Sequence, residues 1–293
     1  SESPGNATFV DTLKDAVKNK DDNIVRKIAT GFNYVSFSDQ VFRNGTRYIN
    51  TDAGWMTSSH VIPTDIPTFQ GVEFSKTPQQ PFGWVLNYFS RNGDVETKRT
   101  PGYEKSDYTG HVLNHLEMVR IFDVREVGRW KWYMVGPEEW IIQTAIAKVT
   151  PRSSPPDGND WERWIDINLY EQTVAAYEKG ELVFATIMAS GDHPYWTYPG
   201  TYQIYEKLDE TDMRGTFTDD RSDWYYLEDV PWTMYFDERR ALHGAYWRAR
   251  LGYPQSHGCV NLSVGDARWL YEWAELGDWV YVHDPSGKTP AHP

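Results

Sequence analysis

From Gly31 onward the chain is written in strand-length runs of aromatic and β-branched residues, broken by turn pairs such as Asn44-Gly45 and Asn92-Gly93 and by prolines. Such side chains pack well on a pleated surface and crowd a helix, so these runs predict strands and hairpins. Aromatic residues make up 15 % of the chain, 14 of them Trp and 19 Tyr, and a mainly β fold is the leading class. At 293 residues, about twice the usual ~150-residue domain, two cores are expected. No run approaches the ~18 apolar residues of a membrane span, which predicts a soluble globular protein. The formal charge of −13 would repel a phosphate backbone over most of the surface, so no nucleic-acid partner is expected.

Cys259 is the single cysteine, which forbids an internal disulfide and a thiolate-rich metal cluster. It lies in Ser256-His257-Gly258-Cys259-Val260-Asn261-Leu262, downstream of His243-Gly244-Ala245-Tyr246-Trp247. A thiol attacks a carbonyl as the thiolate, so a useful cysteine needs a base beside it. His257 is two residues away across a glycine that suggests a sharp turn. His243 is at hairpin distance and could face Cys259 from an adjacent strand. The N–H groups of Gly258 and Cys259 could receive an oxyanion. Spacing alone leaves a buried, inert cysteine as the alternative.

Other constellations are weaker. His111 and His115 stand at i, i+4 but lack the glutamate of a zinc-protease motif and sit among strand-like residues. The acidic runs 209–212 and 219–223 read as solvated loops, and no glycine-rich phosphate cradle precedes a helix. Neither a metal nor another cofactor is expected.

Phe9, Leu13 and Val17 at i, i+4 and i+8 predict a short amphipathic helix, giving an N-terminal helical segment over 1–30. An internal repeat with an offset of 85 follows, matching Phe37, Tyr48, Ile49, Trp55, Met56 and Val61 to Phe122, Tyr133, Met134, Trp140, Ile141 and Ile146. The second copy, from His115 through Trp130-Lys131-Trp132-Tyr133 to Ile141, resembles the bacterial SH3-like modules attached to cell-wall enzymes. The resemblance implies an SH3-like β domain of two small barrel repeats over 31–150. Residues 151–160, with three prolines and no large apolar side chain, read as a linker to a domain over 161–293. There Trp164–Tyr170, Thr173–Tyr177 and Leu182–Met188 predict a β meander. Ser263-Val264-Gly265-Asp266 predicts the start of a helix ended by Gly277, and Trp279–Val282 a closing strand.

The string His243-Gly244 … Ser256-His257-Gly258-Cys259-Val260-Asn261 is similar to the signature of the YkuD family of L,D-transpeptidases. The resemblance spans roughly 160–285 and includes Thr197-Tyr198-Pro199-Gly200-Thr201-Tyr202, although Tyr198-Pro199 stands where the family commonly has Pro-Thr. It implies a β-sandwich with one or two helices that forms 3→3 cross-links between peptidoglycan stem peptides through a cysteine thioester. Carried over, Cys259 would be the nucleophile, His243 the base, and Gly244 the carbonyl that orients the imidazole. His257 and Gly258 would shape the catalytic turn. Asn261, Ser256, Trp247, Trp232 and Tyr235 would line the substrate site, with Asn261 standing where many members have arginine. Water in place of an acceptor amine would give a carboxypeptidase or endopeptidase, and a retired enzyme would leave a wall-binding protein. The implied partners are a donor tetrapeptide, an acceptor amine and carbapenem-type inhibitors, met by a monomer. The start Ser1-Glu2-Ser3, without Met, fits an exported protein of the cell envelope whose signal segment lies outside this sequence.

Overall fold

The computed structural model describes residues 32–37, 39–51, 54–62, 64, 66–88, 93–104, 107–216 and 224–293. The helix expected within 1–30 and the acidic run 219–223 lie outside the described residues. Two compact units emerge: residues up to Pro63 with Asp212–Asp229, and Thr64–Thr211 with Val230–Pro293.

In the first unit, β1 (Phe32–Tyr34) runs parallel to Tyr225–Leu227. The strands β2 (Asp39–Arg43), β3 (Thr46–Thr51) and β4 (Gly54–Thr57) form an antiparallel meander that ends in one 3-10 turn, Ser58–His60. Asn44 and Gly45 adopt φ of 49° and 76°, as a two-residue type I′ hairpin requires.

The second unit opens with β5 (Val72–Glu73), β6 (Phe82–Val85), β7 (Val95–Lys98), β8 (Tyr108–Leu113) and β9 (Met118–Arg120). It continues with β10 (Asp123–Val127), β11 (Trp130–Gly136), β12 (Glu139–Ile142) and β13 (Ile146–Val149). One antiparallel sheet has the order β10-β11-β12-β7-β8 and another β13-β6-β9. Val85, Val119, Tyr133, Ile141 and Ile146 fill the core between them. The sequence repeat is also structural, because β12 and the 3-10 turn Gln143–Ala145 lie 85 residues beyond β4 and Ser58–His60, end for end.

The predicted meander appears as β14 (Arg163–Asn168), β15 (Thr173–Glu178) and β16 (Glu181–Ile187), followed by β17 (Gly200–Gln203), β18 (Glu206–Gly215) and β19 (Tyr225–Asp237). The chain then forms β20 (Arg240–Gly244), β21 (Val260–Leu262), α1 (Val264–Trp273) and β22 (Trp279–His283). The fold is mainly β, with α1 the one α-helix among the described residues. The Ser263 hydroxyl caps α1 by accepting from the Asp266 N–H at 3.1 Å. Asp266 does not close a reciprocal box. Its buried carboxylate accepts from the Gly71 N–H at 2.7 Å and the Thr186 hydroxyl at 2.5 Å, tying the helix start to the segment entering β5.

Strand alternation turns these elements into layers. Ile165, Ile167, Val174, Val280 and Val282 project from one face of the sheet β17-β22-β14-β15-β16-β5. They meet Met234, Phe236, Leu242, Val260 and Leu262 of β19, β20 and β21. From the other face Trp164, Ala175 and Tyr177 pack against Phe82, Trp84, Ala147 and Val149. The core therefore runs across the proline-rich stretch, which is itself pinned: the Arg152 N–H donates to the Tyr177 hydroxyl at 3.0 Å.

Candidate active site

Because Met234, Phe236, Leu242, Val260 and Leu262 face the inner core, the alternate residues Tyr235, Ala241, His243, Cys259 and Asn261 share the outer face of the same sheet. The strand β20 pairs with β21 in parallel, with His243 opposite Asn261 and Leu242 opposite Val260. One step back, Cys259 aligns with Ala241 and stands diagonal to His243. The expected hairpin is thus a parallel pair, closed by the loop 245–259 rather than by a tight turn. Cys259 directly precedes the strand that neighbours the one carrying His243.

His243 is 1 % exposed, and its Nδ1 lies 3.2 Å from the Gly244 carbonyl oxygen. A carbonyl only accepts, so this contact assigns the proton to Nδ1 and leaves the Nε2 lone pair available. Burial pushes the His243 pKa down to about 4, against the pull of the Gly244 carbonyl. Trp247 is buried and stacks on the imidazole with centroids 5.6 Å apart. Gly244 is needed for space, since a Cβ there would come 3.1 Å from Pro231 Cγ and 3.2 Å from Val264 Cα.

Cys259 is half-buried, and its thiol donates to the Arg239 carbonyl at 3.8 Å. Burial pushes the thiol pKa up, while the Ala241 N–H and the Arg240 charge oppose that rise. The resting pair is therefore a neutral thiol and a neutral imidazole. That state is suited to proton transfer during attack rather than to a standing ion pair.

Backbone-directed hydrogen bonds build the turn that presents the sulfur. The Ser256 hydroxyl donates to the Cys259 carbonyl at 2.6 Å and accepts from the Gly258 N–H at 3.1 Å. That second bond commits the Gly258 N–H to the turn. Gly258 adopts φ +114°, a conformation L side chains rarely take. The Thr197 hydroxyl donates to the Gly258 carbonyl at 2.7 Å and accepts from the Gly191 N–H at 2.9 Å. Arg240 donates through Nε to the Trp196 carbonyl at 2.9 Å and through Nη1 to Asp237 at 3.0 Å.

Of the remaining sequence candidates, Asn261 is buried opposite His243, and His257 is exposed with its ring 4.7 Å from that of Tyr195. Tyr235 pairs with Ala241 and so stands in one row with Cys259. Trp232 is not brought to this face: it packs on the inner core against Tyr271, beneath Arg268. Sequence reasoning missed Arg240, and it missed Tyr205, which stacks on Tyr235 at 6.2 Å. Thr197 was visible only as part of a turn motif.

The second unit is thus mainly β and carries a cysteine and a buried histidine on neighbouring strands of one sheet. More particularly, residues 162–282 match the YkuD L,D-transpeptidase catalytic domain, and this part of the chain is such a domain. YciB of Bacillus subtilis (strain 168), whose name places it among the L,D-transpeptidases, is 24 % identical over 135 residues, or 40 % of this chain and 63 % of that protein. An L,D-transpeptidase structure from Stackebrandtia nassauensis is similar at 27 % identity over 47 % of this chain and 63 % of that one, with TM-score 0.35. The catalytic domain of an E. faecium L,D-transpeptidase is similar at 25 % identity over 43 % of this chain and 100 % of that one, with TM-score 0.38. The chain thus spans less than two thirds of the Bacillus and Stackebrandtia proteins.

Proposed function

We propose that the protein is a peptidoglycan L,D-transpeptidase with Cys259 as nucleophile and His243 as base. The observation that carries this reading is the shared outer face of β20 and β21, where a buried imidazole with Nδ1 held by Gly244 stands diagonal to the only thiol. In the proposed reaction the thiol proton passes to His243 Nε2 as sulfur attacks the carbonyl of the third stem residue. The Cys259 N–H receives the oxyanion, since the Gly258 N–H is committed to Ser256. As the intermediate collapses, the imidazolium protonates the amine of the departing D-alanine and a thioester remains. An amine on a neighbouring stem then attacks the thioester, its proton passes to His243, and the thiol is restored with a 3→3 cross-link formed. His257, Asn261, Ser256, Trp247 and Tyr235 border this chemistry in the proposal, and the Arg240, Thr197 and Ser256 bonds hold the turn. Residues 161–293 carry the catalytic groups in this proposal, and the site of action is the cell envelope. The test is incubation with a purified disaccharide tetrapeptide followed by mass analysis. A dimer lacking one D-alanine is expected. Tripeptide alone would make water the acceptor, and unchanged substrate would refute the proposal.

A further inference from the structure

Between β14 and β15 the chain reverses through a turn whose last residue, Gln172, sits at φ 56° and is 3 % exposed. The Asn168 carboxamide oxygen shapes that turn by accepting from the Tyr170 and Glu171 N–H groups. A buried carboxamide has to find partners for both its oxygen and its amino group. Gln172 finds them within its own turn and at one residue beyond β16. Its Nε2 donates to the Leu169 carbonyl at 2.7 Å and to the Ser190 hydroxyl at 2.8 Å, and its Oε1 accepts from the Ser190 N–H at 2.9 Å. The Gln172 carbonyl also accepts from the Met188 N–H at 2.9 Å. One buried residue thus holds the segment 188–190 as the chain leaves β16.

The nucleophile turn is built on that segment. The Ser190 carbonyl accepts from the Gln255 N–H at 2.9 Å and the Ser256 N–H at 3.0 Å. Ala189 exchanges both backbone bonds with Asn261, at 2.9 and 3.0 Å, and the Asp192 N–H donates to the Ser256 carbonyl at 3.1 Å. Cys259 therefore lies on a short span of chain whose two ends, Ser256 and Asn261, are both fixed by residues 189–192. Because the Gln172 carboxamide grips Ser190 at two atoms, it sets the direction of the Ser190 carbonyl as well as its position. A displacement of ~1 Å at a reacting atom can cost up to about 100-fold in rate, so this grip reaches the sulfur through Ser190 and Ser256.

We propose that Gln172 is a positioning residue for the nucleophile: its carboxamide fixes Ser190, and Ser190 fixes the turn that presents Cys259. The consequence for acyl transfer rests on the transpeptidase reading, whereas the consequence for thiol reactivity does not. The test uses the full chain as wild type, Gln172→Met, Gln172→Glu, Ser190→Ala and Leu182→Ala. Two properties of Cys259 are followed by intact mass: the pH midpoint of iodoacetamide alkylation and the rate of acylation by a saturating carbapenem. Gln172→Met keeps the bulk of the side chain but none of its hydrogen bonds. It is expected to slow acylation about 10-fold or more and to raise the alkylation midpoint, as the thiol drifts from the Ala241 N–H that favours its ionisation. Gln172→Glu, whose buried carboxyl stays neutral and still offers Ser190 an acceptor and a donor, should recover most of both. Ser190→Ala loses only the hydroxyl bond and should move both properties in the same direction by a smaller factor. Leu182→Ala opens a cavity in the other core layer, so it should lower the melting temperature while leaving both properties at their wild-type values. Unchanged values in Gln172→Met and Ser190→Ala, or equal changes in Leu182→Ala, would overturn the proposal. A wild type that the carbapenem leaves unmodified, with the alkylation midpoint still raised in Gln172→Met, would instead remove the transpeptidase reading and leave the positioning role standing.

Discussion

The second unit buries two clusters of titratable side chains and satisfies them in opposite ways. On the outer face of β20 and β21, His243 and Cys259 are held by backbone groups, the Gly244 carbonyl and the Ala241 N–H, and burial drives both toward their neutral forms. On the far face of β14, Asp166 and Glu171 lie against the cations Arg152 and Lys148, and burial pushes the Glu171 pKa up while Lys148 opposes that rise. A neutral donor–acceptor pair can pass a proton without first breaking an ion pair, whereas a buried ion-paired cluster is costly to break. The same β scaffold thus keeps the two clusters apart by one layer of core.

The largest contrast is expected from Cys259→Ala. All acyl transfer should disappear, and intact mass after carbapenem treatment should show one adduct on wild type and none on the variant, with little change in melting temperature. On the opposite face, Lys148→Met strands the buried Glu171 carboxylate and is expected to cost about 3–5 kcal/mol in urea unfolding. The double variant Lys148→Met/Glu171→Leu should recover most of that loss. A smaller effect comes from His243. Its folded pKa of about 4 lies below the ordinary 6.5, so the unfolded chain binds the extra proton between these values. The stability contributed is fully present above pH 6.5 and is lost as pH falls toward 4, by up to roughly 3 kcal/mol. Comparing unfolding free energies at pH 4.5 and 7 in wild type and His243→Gln should show a larger loss on acidification in wild type, the difference being the His243 contribution. Smallest, Ser256→Ala removes the bridge from Gly258 to the Cys259 carbonyl and should cost about 1–2 kcal/mol. An unaltered stability there would mean that the turn is held by Thr197 and Arg240 alone.

The two clusters also differed in how far the sequence exposed them. The meander β14-β15-β16 and the capped start of α1 follow local rules, alternation and a serine side chain facing a backbone N–H, and both were legible. The Gly258 turn was legible because glycine before the cysteine implied a bend, and φ +114° is that bend. The parallel pairing of β20 with β21 was not, because the loop 245–259 carries no periodic signal that reveals strand direction. Trp232 was misjudged for want of counting. It shares parity with the core residues Met234 and Phe236, and Tyr235 does not. The charged cluster on the other face could not be read, since it brings Lys148 and Arg152 to Glu171 and Asp166, which no local pattern joins.

The central claim is that His243, and not His257, activates Cys259. Its most direct test is the rate of carbapenem acylation at pH 7, followed by intact mass in wild type, His243→Ala and His257→Ala. With His243 as base, its removal is expected to slow acylation about 100-fold or more, while the exposed His257 changes the rate only a few-fold. Rapid acylation of His243→Ala together with slow acylation of His257→Ala would contradict the account.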